Sequence, residues 1–222
     1  MGIAESGKRG EFDSRLVVVG RDAKCCLAMN RRTFLAAAIL TATAALHAEE
    51  PALEPGFVPL FNGKDLTGWS YVGKDDAKEV FDGKKEASDG RYTAKDGMLV
   101  VNPFDQAKGP HLRQLYTVKE FPTNFELRLE FRASVNADSG IFIRKPQLQC
   151  RDYLVAGPYK ELKSYKPQDW NQIVVVVKDG VAHCTCNGEV LEAALKLPAT
   201  GPIGLEADRG TMEYRRIRIK AE

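Results

Sequence analysis

Residues 125–132 read FELRLEFR. The alternation is strict. Phe125, Leu127, Leu129 and Phe131 face one way, and Glu126, Arg128, Glu130 and Arg132 face the other, which predicts a strand over Phe125–Ala133 with one buried and one solvated, charged face. Shortly after it, residues 140–144 read GIFIR, apolar on both faces and closed by an arginine. Residues 147–152 follow as QLQCRD. Working outward, short runs with a period of two or with continuous β-branched content recur at Phe57–Phe61, Met98–Val101, Ile173–Lys178, Val181–Cys186, Ile203–Glu206 and Met212–Ile219. Turn pairs separate them: Asn62-Gly63, Asp96-Gly97, Asp179-Gly180 and Asn187-Gly188. Asp179-Gly180 marks a hairpin, and Asn187-Gly188 extends it into a meander. No segment after residue 48 sustains a 3.6-residue apolar period, and there is no internal repeat. The pattern predicts an all-β, two-sheet sandwich over residues 57–220, with 140–144 and 147–151 near its middle. Residues 49–56 read as a linker.

The N-terminal part reads differently. Residues 29–48, MNRRTFLAAAILTATAALHA, place Arg31 and Arg32 before a thirteen-residue apolar run from Phe34 to Leu46. That is the layout of a signal peptide, too short for a membrane span. The Arg31-Arg32 pair with Phe34-Leu35 is also similar to a twin-arginine export motif. Residues 1–28 match nothing, so Met29 is the expected start and 1–28 a mis-assigned, unstructured extension. The expected location of the mature chain is periplasmic or secreted.

Charge excludes other classes. The chain has 222 residues with 32 Lys+Arg against 30 Asp+Glu. Seven of those bases and four of those acids fall in residues 1–48, leaving 25 against 26. So balanced a body does not point to nucleic acid or an anionic membrane, and no membrane span is expected in the mature form. Three cysteines remain beyond the signal: Cys150, Cys184 and Cys186. Cys184 and Cys186 share one face of a strand, and no second Cys or His pair completes a zinc site, so they read as structural thiols. There is no nucleophile elbow, phosphate loop, dinucleotide fingerprint or His-Glu-x-x-His.

Two polar clusters interrupt apolar strands. Gln147, Gln149 and Arg151 share one face. Amides that donate and accept, beside a planar guanidinium, suit sugar hydroxyls; a solvent-facing strand is the alternative. Glu206-Ala-Asp-Arg209 ends the strand that starts at Ile203. Its two carboxylates can divide acid and base duties, hold a divalent cation, or form a salt-bridged loop. His111 lies in a Gly-Pro loop and His183 in a strand. Trp69 and Trp170 can stack on a sugar ring or fill the core.

These residues carry a resemblance. Phe57–Trp69, FVPLFNGKDLTGW, is similar to the opening of the 3-keto-disaccharide hydrolase domain family. The strand 124–131 followed by Asp138-Ser-Gly-Ile-Phe-Ile-Arg144 is similar to its central signature. Trp170-Asn171, Asn187-Gly188, Ile203-Gly-Leu205 and the ending Arg215–Ile219 also fit. The form looks like exported proteins of Planctomycetes-type bacteria. The resemblance implies a concanavalin A-like (laminin G-like) jelly roll and cleavage of glycosides that carry a 3-keto sugar. Two positions depart from it. Gln147 stands where Glu is usual, while Gln149 and Asp152 fit. Glu206 stands at a Gln position and Asp208 at a His position. Glu206 can make up for the carboxylate missing at 147 if their strands are neighbours. If the histidine serves relatives as base or ligand, this chain must use Asp208 or lack the activity.

On that resemblance Glu206, Asp208 and Arg144 are the expected catalytic residues, with Glu206 or Asp208 as base and Arg144 or Arg151 on the enolate oxygen. Gln147, Gln149, Arg151, Asp152 and His111 are the expected substrate-binding residues. A divalent cation is an open option, and no metal ligands are assigned. The partner is a small carbohydrate. Two classes remain: an exported hydrolase or lyase on 3-keto-glycosides, and a non-catalytic carbohydrate-binding module.

Overall fold

A computed structural model of the chain describes residues 52–72, 77–103, 114–155 and 158–222. Fourteen strands follow in order: β1 Val58–Pro59, β2 Trp69–Val72, β3 Lys78–Val80, β4 Tyr92–Lys95, β5 Met98–Val101, β6 Leu115–Glu120, β7 Phe125–Ala133, β8 Gly140–Ile143, β9 Gln147–Gln149, β10 Asn171–Lys178, β11 Val181–Cys186, β12 Glu189–Lys196, β13 Pro202–Leu205 and β14 Met212–Ala221. They form two antiparallel sheets. One has the order β12-β11-β10-β7-β14-β5-β4, with β1 added on β14; the other runs β3-β2-β6-β13-β8-β9. This is the two-sheet sandwich that the strand reading predicts and the jelly roll that the resemblance implies. No helix among the described residues is long and apolar enough to cross a membrane.

The alternation in β7 builds the core. Phe125, Leu127, Leu129 and Phe131 are all buried, in one core cluster with Ile173 and Val175 of β10 and with Ile141, Ile143, Ile203 and Leu205 of the other sheet. Each such side chain, fully buried, contributes roughly 1.5–3 kcal/mol. Three hairpins use paired left-handed residues at the expected dipeptides: Asp96-Gly97, Asp179-Gly180 and Asn187-Gly188, with φ from 47° to 85°. Such turns match the twist of the strands they join. The β10-β11-β12 meander results.

The structure departs from the sequence reading at three places. First, β9 is an edge strand rather than a central one, because among the described residues it pairs only with β8. The chain beyond it turns into an irregular segment whose rings close the core instead. Tyr153 packs edge-on against Phe131, Tyr159 and Tyr165, with centroids 5.9, 5.7 and 5.1 Å away.

Second, the charged face of β7 is paired, not simply solvated. Glu130 accepts from Arg215 Nε at 2.7 Å and Arg216 Nη1 at 3.1 Å, and Arg132 pairs with Glu213. Trp170 lies beneath two cations, 4.0 Å from Arg215 and 4.8 Å from Arg132. Trp69 is a core residue whose indole donates to the Leu60 carbonyl at 3.0 Å.

Third, Glu54, in the stretch read as a linker, is docked. Arg218, only 1% exposed, forks onto it through Nε at 2.7 Å and Nη2 at 2.6 Å. The Phe57 ring lies 5.8 Å from the same guanidinium.

Candidate active site

The site forms on the outer face of the six-stranded sheet, where β13, β8 and β9 lie side by side. Leu205 pairs with Ile141, and Gly140 pairs with Gln149. The Glu206 amide donates to the Gly140 carbonyl at 2.9 Å, so the pairing continues one residue past β13. Leu148 and Cys150 point into the core, which turns Gln147 and Gln149 outward, as parity predicts, while Arg151, past the end of β9, is buried.

Glu206 and Gln147 meet although β8 separates their strands. The Gln147 amide donates to Glu206 Oε2 in a close hydrogen bond. To do so, its side chain crosses directly over Gly140. A Cβ at residue 140 would stand 2.1 Å from Gln147 Nε2 and 2.5 Å from its Cγ. Only glycine allows this crossing. The strands of 147 and 206 are thus not neighbours, the condition set for Glu206 to make up for the carboxylate missing at 147; their side chains meet across β8 instead, with Gly140 as the gap that permits it.

The backbone around Glu206 is tied at every residue. Tyr92 Oη donates to the Leu205 carbonyl at 2.7 Å, and Ser139 Oγ to the Glu206 carbonyl at 2.7 Å. Arg91 Nη2 reaches the carbonyls of Ala207 at 2.7 Å and Asp208 at 3.2 Å. Ala207 is buried, while Glu206 and Asp208 on either side are half-buried.

Electrostatics single out Glu206. Burial pushes its carboxyl above the usual carboxylate range, and the nearby charge of Asp208 pushes the same way. The hydrogen bond from Gln147 and the charge of Arg151 pull back. Arg151 is held by Asp138, with Nη2 2.8 Å from Oδ2. Two buried polar atoms here have no hydrogen-bond partner among the described residues: Gln149 Oε1 and Arg151 Nε. Buried polar groups of native folds are normally satisfied. Beside this cluster, Tyr116 and Phe142 stand half-buried on the same face, their ring centroids 5.6 Å apart. Burial, and then the Glu206 charge, raise the Tyr116 phenol.

Gln147, Glu206, Asp208 and Arg151 thus come together, and Gln149 lies across Gly140 from Glu206. Arg144 does not join them. It sits at the opposite end of β8, where its amide donates to the Pro202 carbonyl. Four residue steps along the chain separate it from Gly140, about 13 Å. Its backbone is left-handed, φ 63°, and its guanidinium donates to the carbonyls of Phe121, Thr123 and Pro198 at 2.7, 2.6 and 2.9 Å. It ties loops together rather than facing the cluster.

Asp152 also turns away. It is buried and accepts from the Asn136 amide at 3.1 Å and from Tyr165 Oη and Gln168 Nε2, both at 3.3 Å. His111 lies outside the described residues. His183 is exposed on β11 of the other sheet. The three cysteines are free and buried, and burial raises the thiols of Cys184 and Cys186 to about 12, as suits structural thiols. Among the described residues, no group of three or more His, Cys, Asp or Glu side chains is arranged to hold a metal ion.

Sequence reading missed Asp138, Ser139, Gly140, Tyr116 and Phe142 as site residues. The signal for the first three was present, since Asp138-Ser139-Gly140 opens the signature motif.

The 3-keto-alpha-glucoside-1,2-lyase-like domain family matches residues 56–220. The chain belongs to this family. No curated protein matches the sequence. Among solved structures, a candidate glycosyl hydrolase from Parabacteroides distasonis ATCC 8503 is 19% identical, covers 77% of this chain and 98% of its own, and superposes with a TM-score of 0.58. A second candidate glycosyl hydrolase from the same organism is 19% identical over 69% of this chain and 99% of its own, TM-score 0.49. A family 66 carbohydrate-binding module from Bacillus subtilis is 8% identical over 71% and 98%, TM-score 0.41. The first of these shares the fold of this lyase-like domain. The domain is a member of a carbohydrate-active family, and its Glu206 cluster lies within the matched residues.

Proposed function

We propose that the lyase-like domain cleaves the glycosidic bond of 3-keto-glycosides by elimination, with Glu206 as the base. The observation that supports this reading is the Glu206 carboxylate itself. It is half-buried, raised above the usual range, oriented by Gln147, and faced by the Arg151 guanidinium. A base works best when its pKa approaches the operating pH.

The chemistry follows from the ketone. A carbonyl at C3 acidifies the proton on C2. Glu206 takes that proton, and the C2–H electron pair becomes the C2=C3 bond of an enolate. Arg151, through its unpartnered Nε, holds the charge on the C3 oxygen. The enolate then collapses: the C3 carbonyl re-forms, a C1=C2 bond forms, and the C1–O1 bond breaks with its electron pair on O1. Glu206 returns the proton to O1 and is regenerated. Water adding across C1=C2 would complete a net hydrolysis. Gln147 and Gln149 orient hydroxyls of the ring.

The test is incubation with a 3-keto-glucoside in deuterated water, followed by nuclear magnetic resonance. The expected result is aglycone release with an olefinic C1 proton, or with deuterium at C2 after hydration. Glu206→Gln keeps the volume and removes the base, so turnover should fall roughly 10²–10⁴-fold. Undiminished turnover in that variant would end this role for Glu206. A non-catalytic carbohydrate-binding role is favoured by the half-exposed Tyr116–Phe142 pair. It predicts sugar binding with no aglycone release from any 3-keto-glycoside.

A further inference from the structure

Two glycines shape the outer face of the six-stranded sheet. Gln147 crosses Gly140 toward Glu206. One row along, Gly204 pairs with Tyr116 on β6 and with Phe142 on β8. A Cβ at residue 204 would stand 2.5 Å from both Cδ1 and Cε1 of Tyr116 and 3.1 Å from the Phe142 Cβ. The Tyr116 ring therefore lies down over Gly204 and leans on Phe142, their planes tilted by 45°. The face is divided into a polar row of Glu206, Gly140 and Gln149, and an aromatic row of Tyr116, Gly204 and Phe142, which ends in Gln147, whose side chain reaches back over Gly140 into the polar row. Gly204 is two residues from Glu206 along one extended stretch, about 7 Å.

Resting on the elimination reading above, we propose that Tyr116 and Phe142 form the leaving-group subsite and select 3-keto-glycosides whose aglycone is a ring with an apolar face. The ketone-bearing ring needs donors, acceptors and a base, and the base, Glu206, lies in the polar row, where Gln149 and the crossing Gln147 amide stand beside it. The group on C1 is attached next to C2, where Glu206 acts, so it extends from that ring to the neighbouring row. There the surface is a tilted aromatic pair, which gains from stacking against a flat apolar face and gains nothing from a small alkyl group.

The experiment compares benzyl and methyl 3-keto-glucosides, whose leaving alkoxides are of similar basicity, so that the ratio of kcat/KM reports contact and not chemistry. In parallel, dissociation constants are measured for the unoxidised benzyl and methyl glucosides. The wild-type protein should prefer benzyl in both. Tyr116→Leu and Phe142→Leu should each lower the benzyl-to-methyl ratio by roughly 3–10-fold, the scale of one aromatic contact. Tyr116→Phe should keep it. If Tyr116→Leu fails to fold, Phe142→Leu reads the same quantity. A ratio unchanged in the leucine variants, or equal loss on both substrates, would overturn the subsite. If the wild type cleaves neither substrate, the elimination reading fails. The subsite is then judged on binding alone, and benzyl glucoside bound no more tightly than methyl glucoside would overturn it.

Discussion

At Glu206, burial and hydrogen bonding pull in opposite directions. Desolvation and the Asp208 charge favour the protonated form, and the Gln147 amide and Arg151 favour the ionised one. If Glu206 is the base, kcat/KM rises with pH as it ionises, with an acid limb above the usual carboxylate range. Two substitutions should then move that limb oppositely. Gln147→Ala removes a donor to the carboxylate and should shift the limb to higher pH. Asp208→Asn removes a like charge and should shift it lower. A pH profile of kcat/KM for both variants checks the pair, and parallel shifts would contradict it. Gly140 tests positioning without touching the carboxylate. Gly140→Ala places a methyl where the Gln147 amide crosses, so Gln147 must swing off Glu206. Turnover is expected to fall roughly 10–100-fold, the scale of a catalytic group displaced by about 1 Å, while the circular dichroism spectrum stays that of a β protein.

Among the elements, what the sequence could reveal depended on how long a pattern was sustained. β5, β7 and β11 match their expected bounds residue for residue, because each alternates or runs apolar between clear turns. β2, β3 and β4 are only three or four residues long, too short for a period to register. β12, EVLEAALK, has the composition of a helix; the Asn187-Gly188 turn and its pairing with β11 override that preference. The same logic governs the site. Parity placed Gln147, Gln149 and Arg151 on one face because β9 is extended. Arg144 and Asp152 were expected from the resemblance instead: Arg144 lies just past the end of β8 with a left-handed backbone, and Asp152 shares the inward parity of Leu148 and Cys150. Tyr116 was missed because β6 carries large side chains on both faces. That β8 lies between Glu206 and Gln147 is a matter of sheet order, which a single sequence does not display.

The docking of Glu54 on β14 makes a prediction at this scale. Arg218 holds the Glu54 carboxyl down from its ordinary 4.5 to about 2. A group with a depressed folded pKa adds stability above its unfolded value and loses it as pH falls toward the folded one. Acid unfolding between about pH 4.5 and 2 should therefore carry a contribution that Glu54→Gln lacks. At neutral pH that variant leaves Arg218 buried with a weaker partner and should be less stable by roughly 1–2 kcal/mol. Denaturant titrations at pH 7 and pH 3 measure both, and equal acid sensitivity in the two proteins would remove the Glu54 contribution.

On the scale of the whole molecule, the sandwich gives its two outer faces different work. One carries the ion-paired ladder of β7 and β14 with Trp170 and the docked Glu54. The other carries Glu206, Gln147 and the Tyr116–Phe142 pair. We propose that the chain is exported by residues 29–48. A protein begun at Met29 should leave the cytoplasm with a mature end near Glu49, as read by cell fractionation and N-terminal sequencing. Replacing Arg31-Arg32 by Lys-Lys should retain it inside if the twin-arginine route is used. Continued export would remove that route and leave a general secretory one. The Arg218–Glu54 fork also fixes where the chain enters the fold, on the sheet opposite Glu206. A handle fused ahead of residue 52 would therefore tether the domain to a resin by its back, leaving the Glu206 face open to the solution flowing past.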